Sequence, residues 1–117
     1  MHEFSICQNL VDAVVAEMEK IDPKPARLLK ARVVVGEMRQ VVPEFMEEAY
    51  KAFTKGTIAK GSTLEIKHLP IAGRCKDCGW RGEMPMSNFV CQKCGSAKTK
   101  ITGGMELYLD NLEIEES

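Results

Sequence analysis

A chain of 117 residues has room for one modest domain, or for a small core carrying a cross-linked appendage. Its 44% hydrophobic and 28% charged residues are globular values, which excludes a disordered chain. With 16 Lys and Arg against 17 Asp and Glu the net charge is -1, a balance that argues against a surface built to track phosphates. No apolar run approaches the roughly 20 residues of a membrane span, and no basic segment followed by an apolar stretch marks a secretory signal. Five cysteines in such a chain suggest a reducing compartment, so a cytoplasmic protein with thiols available to metal is expected.

Phe4, Cys7, Leu10, Val11, Val14 and Met18 recur at three- and four-residue intervals and predict an amphipathic helix over 3–20, ending before Asp22-Pro23. Ala31 to Val35 is rich in β-branched residues and reads as a strand ended by Gly36. Pro43 suits a first helical residue. Phe45 or Met46, then Ala49 and Phe53, mark the apolar stripe of a second helix, with Gly56 at its end. Thr63 to His68 alternates as a strand. Met105, Leu107 and Leu109 alternate too, but Leu112 and Ile114 continue with opposite parity, which implies a bulge near Asp110-Asn111.

Charge divides the chain. Residues 68–104 carry Arg74, Lys76, Arg81, Lys93, Lys98 and Lys100 against Asp77 and Glu83, whereas 105–117 holds Glu106, Asp110, Glu113, Glu115 and Glu116 with no base. The expected architecture is α+β: a small three-stranded sheet covered by two helices, built from 1–68 plus 105–117, with an inserted domain at 69–104. The insert should be hinged near Leu69-Pro70 and Gly103-Gly104.

Cys75 and Cys78, then Cys91 and Cys94, form two CxxC pairs twelve residues apart, each followed by a glycine, Gly79 or Gly95. Four thiolates at this spacing suit tetrahedral Zn(II) with no position left open, so the site is structural, in a zinc-ribbon-like module. The insert has few apolar residues beyond Trp80, Phe89, Val90 and Ile101, and metal would stand in for a core. Disulfides, a redox CxxC and iron are the competing readings. Cys7 lies on the first helix's apolar stripe and reads as a small buried hydrophobe.

His2 and Glu3 directly follow Met1. The Met1 α-amine, the His2 imidazole and the backbone between them form a nitrogen-rich set that suits Ni(II) or Cu(II). A solvated terminal histidine is the plainer reading.

Met1-His2-Glu3 opening an amphipathic helix, Gly36-Glu37, Pro43, the two CxxC pairs and the C-terminal strand together resemble the HypA family of hydrogenase/urease nickel-incorporation metallochaperones. The resemblance spans essentially the whole chain. It implies no enzyme but a carrier of Ni(II) as transferred cargo, with His2 as nickel ligand and the Met1 amine and Glu3 backbone contributing. It implies structural Zn(II) on Cys75, Cys78, Cys91 and Cys94, and, as partners, a HypB-type GTPase and the [NiFe]-hydrogenase large subunit. Glu3 and the first helix are the expected partner contacts, ahead of the acidic face Glu44, Glu47 and Glu48. A homodimer is left open; no membrane and no nucleic acid are expected. Some members carry His after each CxxC pair. Gly79 and Gly95 stand there instead, which weakens a urease role. His68 is expected to be packed or hydrogen-bonded near the domain junction. The alternative is a zinc-ribbon protein- or nucleic-acid-binding module without nickel function.

Overall fold

The structure is a computed structural model describing residues 2–116, His2 by its backbone alone. The elements run α1 (His2–Lys20), β1 (Arg27–Gly36), a single 3-10 turn (Glu37–Arg39), α2 (Pro43–Thr54), β2 (Thr63–Leu69), β3 (Ala72–Cys75), β4 (Arg81–Glu83), β5 (Thr99–Gly103) and β6 (Leu107–Glu115). They form two compact units. The first holds the chain up to Val34, Val41–Lys67 and the chain from Tyr108 onward; the second holds Val35–Gln40 and His68–Leu107.

In the first unit, α1 buries Cys7, Leu10, Val11, Val14 and Met18, the stripe its spacing dictates. Phe4 departs from it: the ring is 48% exposed and meets Phe53 edge-on, with centroids 6.1 Å apart. α2 starts on Pro43, whose missing N–H has no intrahelical partner to lose, and buries Met46, Ala49, Tyr50 and Thr54. Met46 thus takes the core position and Phe45 stays half exposed. The helix closes on Lys55, and Gly56 follows at φ 77°. Buried Tyr50 keeps its hydroxyl satisfied: Ser62 Oγ, 2.6 Å away, donates its own proton to the Ala59 carbonyl and therefore accepts from Tyr50.

The sheet of this unit has the order β2-β1-β6. Central β1 is nearly all apolar where Leu28, Ala31, Val33, Val34 and Val35 are buried. It begins four residues before the β-branched run because its charged residues find cross-strand partners. Glu65 takes Lys30 Nζ at 3.0 Å and Arg32 Nη2 at 2.9 Å, and Arg27 Nε lies 2.6 Å from Glu115. The Lys30 hydrogen bond, followed by the Arg32 charge, holds the Glu65 carboxyl below its ordinary range. On β6, Asp110 and Asn111 are exposed in succession between half-buried Leu109 and Leu112, so the change of parity falls where the sequence puts it.

The second unit is built on the antiparallel sheet β4-β3-β5, a set of short strands that hydrophobic periodicity does not reveal. Residues 35–40 join it, which the sequence gives no reason to expect. Gly36 N–H donates to Glu106 O at 2.7 Å, Met38 N–H to Gly104 O at 2.8 Å, and Arg39 Nε to Met105 O at 2.9 Å. The backbones approach too closely for side chains. A Cβ on Gly36 would lie 2.1 Å from Gly104 O, and one on Gly104, at φ 109°, would lie 2.8 Å from Ile71 Cα. Gly104 is therefore a packed residue of this unit. Gly36→Ala should destabilise the protein by about 1–3 kcal/mol, read by urea denaturation, because backbone must move to admit the methyl.

Candidate metal centre

Each CxxC pair folds into the same knuckle. Cys75, at the end of β3, accepts at its sulfur from the N–H groups of Asp77 and Cys78, both at 3.4 Å, and its carbonyl accepts from Gly79 N–H at 3.1 Å. Cys91 accepts at its sulfur from Lys93 and Cys94 N–H, both at 3.3 Å, and at its carbonyl from Gly95 N–H at 2.9 Å. The glycines close these turns at φ 80° and 77°, where a β-carbon is strained. Ser96 Oγ donates to the Asp77 carboxylate and accepts Lys98 N–H at 3.0 Å, which ties the second knuckle to the first.

Across the gap Cys75 Sγ lies 3.7 Å from Cys94 Sγ, Cys78 Sγ lies 3.6 Å from Cys91 Sγ, and all four sulfurs fall within 4.8 Å of one another. A zinc tetrathiolate with bonds near 2.3 Å has sulfur–sulfur edges of about 3.8 Å. A disulfide would need about 2.05 Å, and all four cysteines are free thiols. The donor set fits zinc. Its electrostatics are divided. Cys75 is lowered by the Cys78 amide, against burial and with help from Asp77. At Cys91 burial works upward, but the Cys94 and Lys93 amides outweigh it and bring the thiol down to about 6. Cys78 and Cys94 receive amides from Trp80 and Ser96, yet burial and the neighbouring sulfurs raise both, Cys94 to about 12. A divalent cation held by these four cysteines would ionise their thiols.

Met1 and the His2 side chain lie outside the described residues. Glu3 is described, and its side chain is 5% exposed. Its carboxylate accepts Val42 N–H at 3.2 Å. Val42 is the N-cap of α2 and offers no side-chain cap of its own, so a residue from α1 supplies an acceptor at the positive end of α2. This long-range role has no sequence signal. His68 is exposed rather than packed. Cys7 is buried, its thiol 3.8 Å from Met46 O and pushed up to about 11 by burial, as a core thiol should be. Glu44, Glu47 and Glu48 are exposed and line an open groove of about 730 Å³ together with Lys51 and Lys60.

Over residues 1–114 the chain matches the family model HypA, described as hydrogenase/urease nickel incorporation, metallochaperone. The chain belongs to the HypA family. A hydrogenase maturation factor HypA of Desulfitobacterium hafniense is 34% identical over 116 residues, covering 99% of this chain and 100% of its own. One from Aquifex aeolicus is 36% identical over 117 residues, covering 98% of each. The solution structure of the Ni metallochaperone HypA from Helicobacter pylori superposes with a TM-score of 0.66 at 26% identity, covering 98% of both chains. HypA membership thus joins the four-cysteine cluster and the α+β fold in one protein.

Two outcomes test the geometry. Cys91→Ser should lose metal and hydrogen-exchange protection in the second unit while the helical circular dichroism persists, since the helices belong to the other core. Retained stoichiometric metal would refute the four-sulfur site. Glu3→Ala should cost about 1–2 kcal/mol in denaturant titration, because Val42 N–H is left in a partly buried place without this acceptor.

Proposed function

We propose that this chain carries Ni(II) as cargo during [NiFe]-hydrogenase maturation, binding it at the N-terminus through the His2 imidazole, with the Met1 α-amine and the Glu3 backbone contributing. In the same reading Zn(II) on Cys75, Cys78, Cys91 and Cys94 is a structural cross-link of the inserted domain, 69–104, and 1–68 plus 105–117 forms the nickel-binding part. The carrying observation is the match of residues 1–114 to the nickel-incorporation family. The protein works as a carrier and not as an enzyme. It acts in the cytoplasm and hands its ion on in company with a HypB-type GTPase and the hydrogenase large subunit. Among the described residues no helix is long and apolar enough to cross a membrane.

The physical case starts from release. A carrier must give up its ion, which favours few side-chain ligands at an accessible chain end. Nitrogen donors suit Ni(II), although Cu(II) outranks it on any such set, so selectivity falls to geometry and partner contacts. The N-terminal end of α1 carries about half a positive charge and opposes a bound cation, and a deprotonated backbone amide would offset it. The Glu3 carboxylate is engaged with Val42 N–H, which supports a backbone rather than a side-chain contribution from this residue.

Nickel titration by calorimetry on cleanly processed protein, His2→Ala and a protein with an N-terminal extension tests this reading. Both altered proteins should lose at least the roughly 10–100-fold typical of even an outer-shell ligand change, with zinc content unchanged. Equal affinity for the extended protein would remove Met1, and equal affinity for His2→Ala would sink the terminal site.

A further inference from the structure

In the second unit the strand register sets Arg74 of β3 directly opposite Arg81 of β4 on one side and Lys100 of β5 on the other. Residues paired across a sheet share a face, so three cations form one row. All three are exposed. Lys76 and Lys98, also exposed, stand two residues beyond Arg74 and two before Lys100, and Lys76 N–H donates to Lys98 O at 2.8 Å. The other face of the sheet is covered. There Gly73 and Gly82 pair, and a Cβ on them would strike Met84 Sδ at 2.3 Å and the Trp80 ring at 2.6 Å.

Like charges directly opposite one another destabilise a sheet. The first unit avoids this by setting Glu65 against Lys30 and Arg32, and Glu115 against Arg27. The second unit does not. Among the described residues no ion pair joins Arg74, Arg81 or Lys100 to a carboxylate. Nearby acids are placed elsewhere: Asp77 accepts the Ser96 hydroxyl, Glu106 accepts Gly104 N–H, and Glu83 stands opposite Ala72, one row away. Cys75, the residue after Arg74, turns to the opposite, buried side of the strand, so the row faces away from the Cys75 sulfur.

We propose that this cationic face is a docking surface for an acidic, extended peptide segment of a partner protein. Strands about 4.8 Å apart give the row a length of about 10 Å, which an extended peptide covers in roughly three residues at about 3.3 Å each. Side chains of an extended segment alternate, so acids at alternate positions, about 6.6 Å apart, face the row together and lie between neighbouring cations. A nucleic acid fits less well. The chain as a whole carries -1, and the strand positions facing this way, Ala72, Arg74, Arg81, Glu83 and Lys100, include no aromatic ring on which a base could stack. The surface is independent of the nickel reading and holds if that reading fails.

The test uses the full zinc-loaded chain and fluorescence anisotropy with three labelled probes: hexaglutamate, hexaglutamine and an oligothymidylate. Hexaglutamate should bind, weaken as salt is raised and lose about tenfold in affinity to the R74Q/R81Q/K100Q protein, since three exposed pairs each contribute modestly. A K51Q/K55Q control should bind as the parent does. The triple variant should keep its zinc and its thermal stability, because it relieves repulsion. The single variant R74Q, central in the row, should show an intermediate loss. Unchanged affinity in the triple variant, tighter binding of the oligothymidylate than of hexaglutamate, or loss of zinc on removing the cations would each overturn the proposal.

Discussion

Four sulfur atoms held within 4.8 Å of one another are the constraint on which the second unit rests. Its strands are four, three and five residues long, too short to stand as a free sheet without a face to pack on. Ile71, Met84, Cys75 and Cys91 are its buried apolar residues outside the 35–40 segment. Two of these four are themselves in the cluster. Each knuckle spends its local amides on a sulfur, two per buried cysteine, so the turn geometry and the stabilisation of thiolate are one arrangement. A cation shared by the four sulfurs would join β3 to the loop before β5, alongside the Ser96–Asp77 hydrogen bond.

The first unit is held by the opposite means. Its core is apolar, drawn from the buried faces of α1, β1 and α2, and its strand charges are paired across the sheet. Local stability can therefore differ between the two, one resting on burial and the other on a cross-link. Under the proposed function, cargo handling and the structural metal are then separate tasks.

Much of this was legible because periodicity is local. The stripe of α1, the Pro43 start of α2, the β1 apolar run and the parity change at Asp110-Asn111 each depend on a few neighbouring residues. The CxxCG repeats were legible for the same reason, since a knuckle is a five-residue object. What could not be read is everything that depends on a partner far along the chain. The Arg27–Glu115 and Arg32–Glu65 pairs extend β1 from 88 and 33 residues away. Residues 35–40 join the second unit through backbone hydrogen bonds to Gly104 and Glu106, which carry no side-chain signature. Seven of the twelve residues in the short strands of the insert are glycine or charged, and with so few apolar positions their alternation is invisible. His68, expected to be packed or hydrogen-bonded, is exposed, because a residue at a strand's end has few neighbours to cover it.

Glu3 shows how such a long-range contact bears on function. Its position after His2 reads as an acidic residue placed to ease its own helix dipole. In the fold the carboxylate instead crosses to the start of α2, where Val42 has no side chain able to cap. The tie fixes α1 from its first turn and leaves Glu3 nearly buried. Under the terminal nickel reading this sets a boundary. Residues after Glu3 belong to a packed helix and cannot rearrange around an ion without breaking it. A carrier gains from such an anchored base, because an ion bound next to it is presented in a defined place and the ordering cost is met in advance by the fold.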